Sequence, residues 1–435
     1  MRRITRRAGA IYLLVLLVVG GLLLYVIRWL DDGGDWAAFR ANKAVYADGV
    51  LDTGTLTDRN GLLLARAGDG IFRYADDAET RRACFQAVGD YAGNVGTGAL
   101  TVFARQLIGY TPLTGTYSPD GSGGTVALSL DADLCRTAYA ALAGRNGAVL
   151  LMDYTTGEIL CMVSSPSCDP CDTASAADGV YLNRCLSAAY TPGSVFKIVT
   201  LCAALETLDD LSGRSFTCTG SLDVQGNTVT CSGTHGTQTI EQAFANSCNC
   251  AFAQLAQELG AETIGRYAQA LGITGTLELD GIVTAAGSYD STLTEPVEVA
   301  WSGIGQSTDL VCPFAMLRLC AAIANDGVCV TPTLLLGGSG ESTRRLAADT
   351  ARTLSDDMNY NVVWHYGQGS FPGLSLCAKT GTAELGDGTS HAWFTGFLLD
   401  EDHPYAFTVV IEHGGGGLSA AGSLANTLLQ AAVNP

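Results

Sequence analysis

The chain begins with an apolar run that has no counterpart later. AGAIYLLVLLVVGGLLLYVI, residues 8–27, is a stretch of twenty positions without a charged group. That is about the helix length needed to cross a hydrocarbon core of ~30 Å. Past it the pattern breaks into short pieces. LTDRNGLLLA reads as two short strands about an Asn60-Gly61 hairpin turn. TYSPDGSGG, at 116–124, is rich in turn formers and marks a loop. From residue 147 the texture changes: GAVLLMDYTTGEILCMVSS clusters β-formers around TTGE and predicts a strand–turn–strand pair. Helical periodicity covers 194–207, 239–258 and 313–326. Strands return in LSLCAKTGTA, AWFTGFLLD and AFTVVIEHG, with a last helix in LSAAGSLANTLLQAAV. Strands at both ends of this region, with helices between, predict one antiparallel sheet closed by its two terminal pieces, an α+β domain. The expected division is a tip and anchor over 1–30, a small mixed N-terminal domain over 31–143 and a larger domain over 144–435.

Charge sharpens the first of these. Arg2, Arg3, Arg6 and Arg7 precede the apolar run, which places the N-terminus in the cytoplasm and the bulk of the chain outside. A cleaved signal peptide is the alternative, but the run exceeds an h-region and no A-x-A site follows it. The net charge is −19, and residues 31–435 alone carry −24. So acidic a body is a poor partner for nucleic acid, whose phosphates need Lys and Arg neighbours. It suits a domain held off an anionic membrane, with substrate recognition left to a few placed cations.

Fifteen cysteines are present. Cys218 and Cys231, in TCTGSLDVQGNTVTCSG, lie around a Gly-Asn turn and could close a hairpin as a disulfide. Cys168 and Cys171 form a C-x-x-C, but no second Cys/His pair at zinc spacing follows. Cys202 and Cys320 fall in apolar helical stretches as small core hydrophobes. All fifteen read as structural. His235, His365, His391, His403 and His413 are scattered, form no pair at ligand spacing and are assigned no role. The expectation is therefore of no metal and no organic cofactor.

Of 24 basic side chains only Lys43, Lys197 and Lys379 are lysine. Ser194 and Lys197, in TPGSVFKIVT, lie at i and i+3 on one helical face, just after Pro192 and Gly193. A serine hydroxyl needs a base to become a nucleophile, and an amine serves only when neutral, which demands a pKa far below the ordinary lysine value of about 10.4. Arginine cannot lose its proton in a protein, so a chain that prefers Arg keeps Lys where deprotonation is the task. A Ser-x-x-Lys alone is common by chance. LCAKTGTAE adds Lys379, Thr380, Gly381 and Thr382 on a predicted strand, a compact anion-recognising set in which Gly381 leaves room for substrate backbone. Between them ANSCNCAF carries Ser247 and Asn249, a helix N-cap by the plainer reading and a relay hydroxyl and amide clamp by the functional one.

S-x-x-K, S-x-N and K-T-G in this order mark penicillin-binding proteins and class A β-lactamases. The chain resembles the class B, monofunctional penicillin-binding proteins, the peptidoglycan DD-transpeptidases. The likeness runs through NGAVLLMDYTTGEILCMVSSPSCDP, NRCLSAAYTPGSVFK, GTHGTQTIEQAFANSCNCAFAQLA, GIGQS, AAIANDGVCVTP and AKTGTAELG…HAWFTGF, covering roughly 145–435. LTDRNGLLLA is similar to the short signature of the family's N-terminal pedestal, with Thr53-Gly54 where Arg-Gly is usual. The short pedestal is like that of penicillin-binding protein A-like members. The resemblance implies the penicillin-binding transpeptidase fold, an antiparallel sheet with helices on both faces plus an all-helical subregion. It implies Ser194 as nucleophile on D-Ala-D-Ala stem peptides, Lys197 as general base, Ser247 as proton relay and Asn249 as clamp. The backbone N–H groups of Ser194 and Thr382 would form the oxyanion hole, and Lys379, Thr380 and Thr382 would bind the terminal carboxylate. β-Lactams would acylate Ser194. The implied partners are stem peptides, the cell membrane and a membrane-embedded glycosyltransferase. If Lys379 sits near Lys197, its fixed charge and burial both favour neutral Lys197.

Several rivals share these motifs. A class A β-lactamase needs an E-x-x-L-N after S-x-N, and the sequence has none; Leu182-Asn183 precedes the nucleophile and lacks the Glu. A bifunctional enzyme needs a glycosyltransferase domain, for which residues 31–143 are too few, and a β-lactam sensor needs a cytoplasmic signalling part. A D-Ala-D-Ala carboxypeptidase differs only in its acceptor. A non-catalytic scaffold for a membrane glycosyltransferase is the alternative of another class, against which the intact Ser194, Lys197, Ser247, Asn249 and Lys379 argue.

Overall fold

The computed structural model describes residues 2–434 apart from 40, 44, 48, 49, 69, 117–122, 174–176 and 339, so most of the predicted 116–124 loop lies outside the described residues. The apolar run forms α1 (Arg2–Ala37), whose side chains are almost all exposed and which is long and apolar enough to cross a membrane. It continues past the expected end of the anchor. There Arg105 donates to the Asp31 carbonyl (3.3 Å), which leans the helix end against the N-terminal region.

That region holds a four-stranded sheet of β1 (Gly54–Thr57), β2 (Leu63–Gly68), β3 (Ile71–Tyr74) and β4 (Thr125–Ala127), in the order β3-β2-β1-β4. The expected hairpin is β1–β2. Asp58 closes its turn, its carboxylate accepting the N–H groups of Asn60 (2.9 Å) and Leu62 (2.8 Å), while Gly61 takes φ +83°. Besides two single-turn helices over Ala99–Val102 and Ala104–Leu107, the region holds α2 (Ala78–Val88) and α3 (Ala132–Leu142), each capped by an aspartate, Asp77 and Asp131.

The larger region starts with β5 (Gly147–Asp153) and β6 (Ile159–Ser165), as the pattern around TTGE predicts. The chain then leaves on a long excursion. It runs through α4 (Lys197–Thr207), then β7 (Phe216–Cys218), β8 (Ser221–Val224), β9 (Asn227–Thr230) and β10 (Gly236–Gln238). The helices α5 (Ile240–Ala245), α6 (Asn249–Ala270), α7 (Pro313–Ala324) and α8 (Ala348–Tyr360) follow. It returns as β11 (Leu376–Glu384), β12 (Ser390–Leu398), β13 (Tyr405–Ile411) and α9 (Ser423–Val433). These strands make one antiparallel five-stranded sheet in the order β11-β12-β13-β5-β6, closed by pieces from both ends of the domain. Its inner strands are buried on both faces, which is why they read as continuous apolar runs rather than alternation. α3 and α9 pack together on the sheet, and α7 packs across β12, β13 and β5.

Two differences from the sequence reading matter for the site. The helix expected over 239–258 is two, α5 and α6, broken at residues 246–248 where Ser247 adopts φ +50°. Periodicity runs on through such a break because the apolar positions on either side still face one core. All fifteen cysteines are free thiols, so the Cys218–Cys231 segment is held by β8–β9 and β7–β10 pairing and not by a disulfide.

Candidate active site

Ser194 lies in a tight 3₁₀ turn, Gly193–Phe196, that becomes α4 at Lys197. Sequence spacing alone predicts a plain helix here; the turn tightens because its backbone is squeezed between two neighbours. Gly193, at φ +54°, donates its N–H to the Gly305 carbonyl (2.8 Å), and a Cβ on Gly193 would stand 2.8 Å from the Thr382 carbonyl. Gly305, at φ +77°, has no room for a side chain against Gly193. Trp393 Nε1 donates to the Thr191 carbonyl at 3.0 Å and holds the approach to the turn. The Ser194 side chain is half-buried at the surface of this turn.

Lys197 and Lys379 are both 0% exposed. Lys197 Nζ donates to the Ser247 carbonyl (2.6 Å) and to Asn249 Oδ1 (2.7 Å), with Ser247 Oγ at 3.3 Å. Lys379 Nζ donates to Ser247 Oγ (2.9 Å) and to the Thr380 carbonyl (3.0 Å). One serine hydroxyl thus stands between two amines. Each amine also lies near an aromatic ring, Phe252 at 5.5 Å from Lys197 and Phe244 at 5.6 Å from Lys379. Burial pushes the Lys197 ammonium down to about 7. Burial, and then the neighbouring Lys197 charge, hold Lys379 well below the ordinary lysine range. Neither amine is solvated, and the two, joined through Ser247 Oγ, titrate as a pair.

β11 is the edge strand beside this pair. Along it Lys379 and Gly381 are buried while Thr380 is half-exposed and Thr382 exposed, the alternation a strand imposes. The expected set of Lys379 with Thr380 and Thr382 is therefore split: the hydroxyls face one way and the amine the other, towards Ser247. Thr380 Oγ1 lies 3.2 Å from Tyr366 Oη, and Gly417 donates its N–H to Thr382 Oγ1 (3.2 Å). Gly381 is needed where a Cβ would come 2.8 Å from the Pro192 carbonyl. On the open edge, Asn361 Nδ2 donates to the Ala378 carbonyl (2.9 Å) and the Thr380 N–H donates to Tyr366 Oη (3.0 Å). Residues of one parity point their backbone groups the same way, so Thr382 is the next to present its N–H along that edge, beside the Ser194 turn.

Lys197, Ser247, Asn249 and Lys379 thus form one hydrogen-bonded cluster, and the turn that carries Ser194 packs against β11 beside it. Tyr366 and Asn361 were missed; both lie in a wide helical turn, Asn361–Gly367, with no motif around them. Gly305 lies in GIGQS, where a glycine-rich pattern gave the only hint.

The family described as the penicillin binding protein transpeptidase domain matches residues 147–430. The peptidoglycan D,D-transpeptidase PbpA of Mycolicibacterium smegmatis is 29% identical over 364 residues, covering 74% of this chain and 73% of that protein. Among solved structures, penicillin-binding protein A from M. tuberculosis as a ceftriaxone acyl-enzyme complex superposes with a TM-score of 0.77 at 25% identity, covering 88% of this chain and 98% of the other. The D,D-transpeptidase domain of a peptidoglycan glycosyltransferase from Eggerthella lenta does so with 0.75 at 27% identity, covering 88% and 98%. The match spans most of the larger region and all three motifs, and the chain belongs to the penicillin-binding protein transpeptidase family, in its class B, penicillin-binding protein A-like branch.

Proposed function

We propose that the chain is a membrane-anchored peptidoglycan D,D-transpeptidase that cross-links stem peptides through an acyl-enzyme on Ser194. The observation that carries this is the fully buried Lys197 amine, one turn from Ser194 and linked through Ser247 to a second buried lysine. An amine with its pKa near 7 takes a serine proton at neutral pH; an ordinary lysine does not.

In this reading Ser194 Oγ attacks the carbonyl of the penultimate D-alanine as its proton passes to Lys197 Nζ. The N–H groups of Ser194 and Thr382 hold the oxyanion; the close approach of the Gly193 turn to Thr382 supports that pairing. The C–N bond then breaks, and the departing D-alanine amine takes its proton through Ser247, the hydroxyl shared by both lysines. Asn249 Oδ1 holds Lys197 in line. Thr380 and Thr382 take the substrate carboxylate with their hydroxyls, Gly381 gives clearance, and Lys379 contributes through Ser247 from behind. A side-chain amine of a neighbouring stem peptide attacks the ester, and Ser194 recovers its proton. β-Lactams acylate the same hydroxyl.

The anchor α1, with Arg2, Arg3, Arg6 and Arg7 before its apolar run, supports a cytoplasmic N-terminus and an extracytoplasmic cleft. Residues 31–143 then act as a pedestal and 144–435 as the catalytic domain, with a membrane-embedded glycosyltransferase as the partner that supplies glycan strands. The test is labelling of the full-length chain in detergent by a fluorescent penicillin, with Ser194→Ala beside it. A stable label on the parent alone supports the reading, and no label on folded parent overturns it. Supplying a stem peptide with an amine acceptor separates cross-linking from release of D-alanine to water.

A further inference from the structure

Four side chains that the sequence scatters come together behind the Ser247 turn. Cys218 ends β7, Cys231 follows β9, His235 precedes β10, and Cys248 lies in the break between α5 and α6. Their ligating atoms, three Sγ and one imidazole nitrogen, all lie within 4.8 Å of one another. Cys231 Sγ is 3.9 Å from Cys248 Sγ and 3.6 Å from His235 Nδ1. Two sulfurs 3.9 Å apart are not a disulfide, and no ordinary contact gathers three thiols and an imidazole. A tetrahedral zinc ion with Zn–S of ~2.3 Å and Zn–N of ~2.0–2.1 Å sets its ligands ~3.8 Å apart for S···S and ~3.6 Å for S···N. The two edges at Cys231 match those figures, and the others lie within 4.8 Å.

We infer that Cys218, Cys231, His235 and Cys248 form a structural zinc site that clasps the S-x-N turn. Three thiols and one imidazole are the Cys₃His set of closed structural sites, and soft thiolate ligands select zinc over calcium or magnesium. Binding releases the thiol protons to solvent. The spacing, Cys-x₁₂-Cys-x₃-His-x₁₂-Cys, hides the site from a search for paired C-x₂-C motifs, because the ligands come from the end of a strand, one loop and the break between two helices.

The position gives the site a task. Cys248 is the central residue of Ser247-Cys248-Asn249. Asn249 donates its N–H to Cys231 Sγ (3.3 Å) and its Nδ2 to the Thr230 carbonyl (2.9 Å), while its Oδ1 accepts from Lys197 (2.7 Å). A metal joining Cys231 to Cys248 would therefore fix the hairpin segment over 216–238, the Ser247 turn and the amide that holds Lys197 as one unit. The four ligands are positioning residues; none touches substrate.

The test is made on the full-length chain, purified in detergent under reducing conditions from zinc-supplemented cells. Elemental analysis should find about one zinc per chain, the stoichiometry of a closed four-ligand site. Replacement by Co(II) should give the visible absorption of tetrahedral thiolate ligation. Both signals should be lost in Cys218→Ser and in His235→Ala and kept in Cys171→Ser, whose thiol lies elsewhere and is exposed. Removing zinc with a chelator should slow penicillin acylation about tenfold or more, as loss of supporting contacts does in metal sites, and adding Zn(II) should restore it. Metal content is read without substrate, so this result stands or falls apart from the transpeptidase reading. Absence of metal after reconstitution with Zn(II), a Cys218–Cys231 disulfide found by mass spectrometry, or acylation unchanged by metal removal would each overturn the inference.

Discussion

The turn that carries Ser194 and the turn that carries Ser247 meet at the same pair of lysines, but they are held by different means. The first is wedged by backbone alone. Gly193 sits against Gly305 on one side and β11 on the other, with clearances that admit no Cβ, so the sheet edge itself sets where Ser194 stands. The second stands on a non-glycine residue at φ +50°, between two helices, with side chains as its supports: Lys379 on the Ser247 hydroxyl, Asn249 on Lys197, and the thiols behind. Residues held at such a φ persist only where their surroundings over-determine them. The proposed nucleophile is thus placed by the fold, and the proposed proton path by a network that chemistry can perturb.

The largest expected effect tests the first turn. Ser194→Ala should lower acylation by at least about 10⁴-fold, since nothing else in the cleft replaces the nucleophile, with the melting temperature unchanged. Lys197→Arg comes next, with a loss of ~10²–10⁴-fold in the acylation rate, because the charge is kept while the capacity to deprotonate is removed. A variant as fast as the parent would remove Lys197 from the base role.

The pH dependence tests the network. Lys197 acts when neutral and its pKa is depressed to about 7, so acylation should climb with pH and level off above that value, falling roughly tenfold per unit below it. The same depressed pKa means that the unfolded chain binds the extra proton between about 7 and 10.4, so stability from this group should rise with pH across that window. A rate independent of pH from 5 to 8, on the scale where this base titrates, would contradict it.

Two milder substitutions separate backbone from side chain. Gly193→Ala, strained at φ +54° and blocked by the Thr382 carbonyl, should cost about 1–3 kcal/mol of stability in urea unfolding and slow acylation with it. Ser247→Ala and Ser247→Gly both lose the hydroxyl shared by the lysines and should label slowly. Gly accepts φ +50° without strain, so it should be about 1 kcal/mol more stable than Ala. Equal stabilities would show that the turn is not strained.

The motif residues were legible because their chemistry sits in short windows. A serine three before a lysine, a lysine followed by Thr-Gly-Thr, and strands around TTGE are patterns a local backbone must satisfy. The sheet strands and most helices followed for the same reason. Tyr366 and Asn361 were not legible, since what makes them matter is that their turn meets the open edge of β11. Nor was the face on which Lys379 lies relative to Thr380 and Thr382, which follows from strand alternation only once burial has said which side faces the helices.

The sequence by itself determined the membrane-length helix, the α+β order of elements and which residues stand as candidates for nucleophile, base, relay and strand hydroxyls. It could do so because each rests on residue type, spacing and apolar period. Tertiary structure alone decided that two lysines 182 positions apart share one hydroxyl, that a glycine from GIGQS wedges the Ser194 turn, and that three thiols and an imidazole gather behind Ser247. Those are distances between elements far apart in the chain, and packing fixes such distances where no local pattern can.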